Sequence, residues 1–481
     1  MITFPRAQFL WLAAGTLFWR SSTSTSAQAV EVPPVEPPAG NPLRIPELLE
    51  GERGADGVVR FRLDVQAGTT QFRDGPATAT WGVNGAFLGP TLRAARGSVV
   101  ALSVHTGIAE PTTMYWHGMI LPAAMDGTPH QPIEPDETWQ PTWTIDQPAA
   151  TLWYHPHPHG NTARHIYRGV CGMFVVEDDD ARALDLPHTY GVDDLPVIIQ
   201  DYLFNDDNQF VGDGKQVGDT LLVNGTDAPY VDVTRQRLRL RLLNASGKRV
   251  YNLGFADGRP FHLIGTDGGL LSAPVTLQQV PLSTGERAEI VVAFEPGDET
   301  VLRSFADGDE PDGFDVLRMR AVPAALPCPP LAPRLSDVVR LNPADAVAVR
   351  TFRLTGTEIN GKDMSMDRID ETVVAGTVEI WDVISEAGEH NFHIHGVQFQ
   401  VLEVDGDPPP AHLRGWKDTV ALNDGGSVRL LVPFGPYPDP AVPYMYHCHK
   451  LRHEDLGMMG QFLVVAPDEA GASNPAEPRD P

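Results

Sequence analysis

The chain is short of cysteine, of basic charge and of long apolar runs. Three Cys in 481 residues exclude a disulfide scaffold as the source of stability. Cys448 stands between two histidines. Cys171 sits in the apolar run 170–176 and reads as a small buried hydrophobe, so Cys171 and Cys328 are expected as free thiols. Lys and Arg number 36 against 63 Asp and Glu, a formal charge of −27. A surface of that sign argues against nucleic acid or an anionic membrane as partner. Nothing downstream of the N-terminus approaches the roughly 18 consecutive apolar residues of a transmembrane helix, so no membrane span is expected. The apolar run from Phe9 to Trp19 is too short to cross a bilayer. Preceded by Arg6 and followed by Ala27-Gln28-Ala29, it reads as an export signal over residues 1–29. Its removal takes Arg6 and Arg20 and moves the charge from −27 to −29. A periplasmic or extracellular location follows.

Helical periodicity is scarce as well. Short Val-, Leu- and Thr-rich runs alternate with turn clusters, and 45 Gly with 44 Pro fit a strand-rich, turn-rich chain. The length exceeds what one core supports, and a weak repeat sets the count. Asn-Gly recurs at 84–85, 224–225 and 360–361, at intervals of 140 and 136 residues, each time followed by a strand-like run. The expected architecture is all-β, three Greek-key β-sandwiches. Expected boundaries are a loose Pro-rich segment over 30–44, domains over 45–182, 190–325 and 335–466, and a disordered acidic tail over 467–481. The second copy has Tyr251-Asn252-Leu253-Gly254 where the others carry His, so domain 2 reads as a spacer without metal donors.

What is abundant is histidine in tight clusters. The stretch 446–459, YHCHKLRHEDLGMM, holds Cys448 between His447 and His449, then His453, Met458 and Met459. Thiolate, imidazole and thioether are the donors of a blue-copper site, which needs two His, one Cys and a long axial Met. In an extended strand His447 and His449 point away from the face that carries the sulfur, so they serve something else. The second imidazole of the blue site falls to His390 in HNFHIHG, 390–396.

With YWHG at 115–118 and HPHPHG at 155–160, the four segments in this order resemble the multicopper oxidases: laccases, bilirubin oxidases and copper-efflux oxidases. The resemblance spans nearly the whole chain after the export signal and implies three cupredoxin-like domains. It also implies a set of four coppers. His390, Cys448 and His453 with axial Met458 would hold the blue copper. His117, His155, His157, His395, His447 and His449 would hold a coupled pair, and His393 a third copper. Two carboxylates match the family's proton relay, Asp126 nine residues after His117 and Glu454 directly after His453. Single electrons from a small aromatic reductant would enter at the blue copper and reduce O₂ to water. A monomer is expected. His159, His105 and His130 have no ligand role.

One position departs from the pattern. Where the family has HWHG, this chain has Tyr115. Tyr115 as phenolate ligand, a third copper held by His393 and water alone, and no third copper are all open. The segment 359–370, INGKDMSMDRID, resembles spore-coat laccase and bilirubin-oxidase relatives, which points to phenols, aromatic amines or tetrapyrroles. The pocket for them is expected beside His390 and His453. The Met-rich insertion of copper-efflux members is missing. The alternatives are a copper-binding cupredoxin protein with impaired or no O₂ reduction and a cuprous or manganous ion oxidase; the two-domain nitrite reductases fit poorly.

Overall fold

In the strand Val59–Thr70 burial alternates over the first half: Val59, Phe61, Leu63 and Val65 are inside while Arg60 and Arg62 are exposed. That period of two is what a strand with one buried face requires. The computed structural model describes residues 40–306 and 313–469. The export signal and the end of the acidic tail, which belong to the sequence expectations, lie outside these residues. Among the described residues six sheets face each other in pairs. The first pair encloses a core that includes Phe61, Leu92 and Phe174, the second one with Leu240, Leu253 and Val316, the third one with Phe352, Trp381, Phe392 and Phe462.

The three sandwiches repeat one construction. Val59–Thr70 pairs in parallel with Val99–Thr106, Asp194–Tyr202 with Arg237–Asn244, and Ala346–Thr355 with Val378–Ala387. The Asn-Gly repeat has a physical basis. Asn84, Asn224 and Asn360 all take a left-handed backbone, with φ of 56°, 50° and 54°, a conformation Asn tolerates better than most residues. Each side chain then clamps the first parallel strand. Asn84 Oδ1 accepts from the Asp64 N–H and its Nδ2 donates to Arg62 O. Asn224 does the same with Ile198 and Pro196, and Asn360 with Arg353 and Thr351.

Two boundary expectations change. The described part of the 30–44 segment is not loose: Asn41–Pro42 adds a parallel strand to Pro229–Tyr230 at the edge of the second sandwich. An edge strand offers unpaired backbone groups, and this segment satisfies them. At the other end, residues 467–469 form a turn closed by the Glu469 N–H on Ala466 O. No helix among the described residues is long and apolar enough to cross a membrane. All three cysteines are free, with Cys171 buried and its thiol pushed up to about 12 by burial.

Candidate metal centre

Equivalent strand pairs in the first and third sandwiches carry the histidines. Tyr115–His117 runs antiparallel to Ala150–His155 with Tyr115 opposite His155. His390–Ile394 runs antiparallel to Asp439–His447 with His393 opposite His447. Tyr115 and His393 therefore occupy the same place in the two copies, each facing the first His of the partner HxH. In the second sandwich Tyr251–Phe255 stands in this position with no donor.

The two sets meet between the sandwiches and sort into two triads. His117, His155 and His449 bring one donor atom each within 4.8 Å of one another, and so do His157, His395 and His447. His155 and His157 belong to different triads, as do His447 and His449, so each pair bridges the two. Within the second triad His447 Nε2 lies 3.2 Å from His157 Nε2 and 3.1 Å from His395 Nε2. In the first, His117 Nδ1 lies 3.4 Å from His155 Nε2. All six side chains are at most 1% exposed. Burial first, then mutual repulsion with neighbouring imidazoles, holds them below the usual histidine range, His157 at about 3. They are neutral rings with a free lone pair.

The blue-site donors form a third set. His390 Nδ1 and His453 Nδ1 lie 3.7 and 3.5 Å from Cys448 Sγ and 3.2 Å from each other. Donors about 2.0–2.3 Å from a shared ion have edges of roughly 3.5 Å in a trigonal arrangement. The His390 Nε2–H donates to Ala387 O at 3.0 Å, which turns Nδ1 toward the sulfur. Met458 packs in the same apolar core as Cys448, whereas Met459 opens the next strand opposite His447. The strand ends at His447, yet the alternation read from the sequence persists: Cys448 joins His390, and its two neighbours join the triads. His453 alone of the set is partly exposed.

Both carboxylates serve the same triad. His395 Nδ1 donates to Asp126 Oδ2 at 2.8 Å, while Glu454 lies 3.4 Å from His447 Nδ1 and 3.5 Å from His157 Nδ1. Burial pushes both acids well above the usual range.

Tyr115 is fully buried, stacked on His395 at 3.9 Å, and its hydroxyl lies 2.8 Å from His393 Nε2. Burial, aided by Asp126 and Asp418, pushes the phenol well above its ordinary value, so the O–H donates and His393 Nε2 accepts. The other ring nitrogen donates to Asp418 O at 2.8 Å. His117, His393 and Asp418 also lie close enough to suggest a further metal set. Their atoms already satisfy one another: Asp418 Oδ1 is 3.0 Å from His117 Nε2, and both its oxygens accept from Arg287. Asp418 thus supports the histidines rather than offering a vacant donor.

Domain 2 supplies no metal donor among the described residues, but the loop 283–286 and Arg287, which opens the strand Arg287–Ala293, reach the centre. Asn391 Nδ2 donates to Ser283 Oγ and Thr284 O, and Asn391 Oδ1 accepts from His449 N–H at 2.6 Å. Thr284 Oγ1 donates to His449 O. Gly285, at φ +84°, leaves room for the His449 ring, which a Cβ would approach to 3.0 Å. Asp418, Arg287, Asn391 and Gly285 are absent from the sequence expectations. Asn391 lies beside a ligand motif; the others carried no signal among so many acids, arginines and glycines.

The donor set fits copper. Neither nitrogen of buried His449 has a hydrogen-bond partner. Such orphans cost about 1–3 kcal/mol each unless something binds them. Neutral imidazoles with one thiolate suit copper by softness and geometry.

Multicopper oxidase family models match residues 64–181 and 328–468. The chain belongs to the multicopper oxidase family, whose chemistry is copper-dependent oxidoreduction. It is 37% identical to the cell division protein FtsP of Salmonella typhimurium over 96% of this chain and 99% of that one. It is 34% identical to the multicopper oxidase mco of Staphylococcus haemolyticus, covering 88% and 93%. Among solved structures, the laccase-like multicopper oxidase CueO of Ochrobactrum sp. matches with TM-score 0.82 and 37% identity, over 88% of this chain and 100% of that one. McoA of Aquifex aeolicus matches with TM-score 0.81 and 32% identity, over 89% and 100%.

Proposed function

We propose that the protein is an exported, laccase-like oxidase that takes single electrons from small aromatic reductants and delivers them to O₂, with a weakened third-copper position. The supporting observation is the junction at 447–449. Cys448 belongs to one donor set while its covalent neighbours His447 and His449 belong to the two triads. A thiolate and two imidazoles joined by a few bonds link an electron-accepting site to a buried reducing site. Copper held by these groups supplies the one-electron chemistry. The protein fixes the rings, excludes water and positions protons. The partly exposed His453 is the edge where a reductant approaches. Asp126 and Glu454 stand beside His395, His447 and His157, where they would relay the protons that reduction of O₂ consumes.

A second reading is favoured by one contact. Tyr115 caps Nε2 of His393, the residue that the family resemblance assigns to the third copper. A chain that retains the blue site but reduces O₂ poorly would act as a copper-binding cupredoxin protein, and the likeness to relatives named for cell division is compatible with that. Copper content, electron paramagnetic resonance and O₂ uptake with a phenolic donor distinguish the two. The oxidase reading expects both a blue and a normal cupric signal, with O₂ consumed. A blue signal alone with negligible uptake would establish the second.

A further inference from the structure

Asn391 stands between the second sandwich and the sulfur of the blue-site set. It is buried together with Ser283, Thr284 and Cys448, each at most 1% exposed. Asn391 Nδ2 donates to Ser283 Oγ at 3.1 Å and to Thr284 O and Thr284 Oγ1 at 2.9 Å each. Its Oδ1 accepts from the His449 N–H at 2.6 Å and lies 3.4 Å from Cys448 Sγ.

The amide has one orientation only. Thr284 O is an acceptor, and the single hydroxyl hydrogen of Thr284 is committed to His449 O at 2.8 Å. Both Thr284 oxygens therefore face Asn391 as acceptors and require Nδ2. The His449 N–H is a donor and requires Oδ1. Turning the amide round would set donor against donor and acceptor against acceptor. Residues of the second sandwich thus decide which amide atom faces the sulfur.

That choice bears on the charge the sulfur can carry. A thiol can donate to Oδ1, but a metal ligand is the thiolate, which has no hydrogen to give. The contact then sets a partly negative oxygen against a negative sulfur, at a site closed to solvent, where such repulsion is poorly screened. Burial also disfavours charge on Cys448, whereas the backbone N–H groups of Asn391 and Lys450 and the Lys450 ammonium favour it. An added electron increases the negative charge on the sulfur, so the Asn391 oxygen opposes reduction. Hydrogen bonding around the Cys sulfur is one of the features that tune the potential of a blue-copper site.

We infer that Ser283 and Thr284 are positioning residues for the blue site. By holding the Asn391 amide with its oxygen toward Cys448 Sγ, the second sandwich lowers the reduction potential there. A lowered potential narrows the reductants to electron-rich aromatics, such as dihydroxy- and methoxy-substituted phenols. The inference rests on the blue-copper donor set and is independent of O₂ reduction at the triads.

The test is an anaerobic redox titration of the copper-loaded protein against ferrocyanide and ferricyanide, followed by the blue absorption. Electron paramagnetic resonance of the oxidised form accompanies it. Thr284→Val takes the hydroxyl from both Asn391 Nδ2 and His449 O. At a fixed ferrocyanide-to-ferricyanide ratio, we expect the ratio of reduced to oxidised blue site to rise about fivefold, equivalent to about one net hydrogen bond. The copper hyperfine splitting should change with it. Ser283→Ala removes one of three acceptors and should move the ratio the same way by less. Thr284→Ser keeps the hydroxyl and should hold the wild-type ratio. An unchanged or lowered ratio in whichever of Thr284→Val and Ser283→Ala keeps its blue colour would overturn the proposal. So would a shift in Thr284→Ser as large as in Thr284→Val, or loss of colour in both Thr284→Val and Ser283→Ala, since either assigns these residues to packing. A wild-type protein without blue absorption would remove the donor set itself, whereas absent O₂ uptake alone would sink the oxidase reading and leave this inference standing.

Discussion

The Tyr115 hydroxyl lies 2.8 Å from His393 Nε2. The phenol does two things: it stacks on His395 and it occupies the lone pair of His393. Tyr115→His should therefore raise the copper content and strengthen the normal cupric signal, with faster O₂ uptake. Tyr115→Phe frees the His393 lone pair without adding a donor and should leave copper content between the two. If Tyr115→His changes neither copper content nor the spectrum, the Tyr is not what limits the third position.

Asp126 and Glu454 stand behind one triad only. Asp126→Asn and Glu454→Gln should each slow O₂ reduction by about 10²–10⁴-fold, the range for loss of a positioned proton carrier. The blue absorption and the rate of its bleaching by a reductant should stay unchanged, since neither residue touches Cys448. Stopped-flow reduction and reoxidation, measured separately, check this. A slowed bleaching step would mean that the carboxylates act on structure.

Arg287 is wholly buried and pairs with wholly buried Asp418 across the boundary between the second and third sandwiches. Burial works against the charge on Asp418, and Arg287 with His117 keeps its carboxyl well below the usual range. Arg287→Met removes the partner and leaves the acid stranded. The expected loss is about 3–5 kcal/mol of stability, seen in denaturant unfolding. Arg287→Met combined with Asp418→Asn should recover part of it, because the stranded charge is gone.

Glu289 offers a pH signature away from the copper donors. Burial alone would raise its pKa, but Arg239 and Arg241 bring it down from 4.5 to about 2. It also accepts from Thr151 of the first sandwich at 2.6 Å. A depressed folded-state value means that the stabilisation is complete above pH 4.5 and fades as pH falls toward 2. The melting-temperature gap between wild type and Glu289→Gln should therefore be constant near neutrality and close across that window. A gap that is independent of pH would assign the effect to packing.

Sequence alone determined the donor types, their pairing and the duplication. A Cys between two His, an HxH repeated in two copies, and an Asn-Gly that recurs at near-equal intervals are local patterns. Strand alternation and covalent adjacency convert them directly into geometry, so Cys448 and its neighbours had to serve different centres. Tertiary structure decided the rest. It split the HxH pairs between two triads, set Asp418 and Arg287 behind His117, brought the loop 283–286 of the supposed spacer against His449, and laid Tyr115 on His393. These are meetings between residues of different domains, many more than a hundred positions apart. A lone Asp, Arg or Gln on a strand has no periodicity or motif to announce its partner. Only the packing of three sandwiches, which buries such groups and so obliges them to find one another, fixes where they meet.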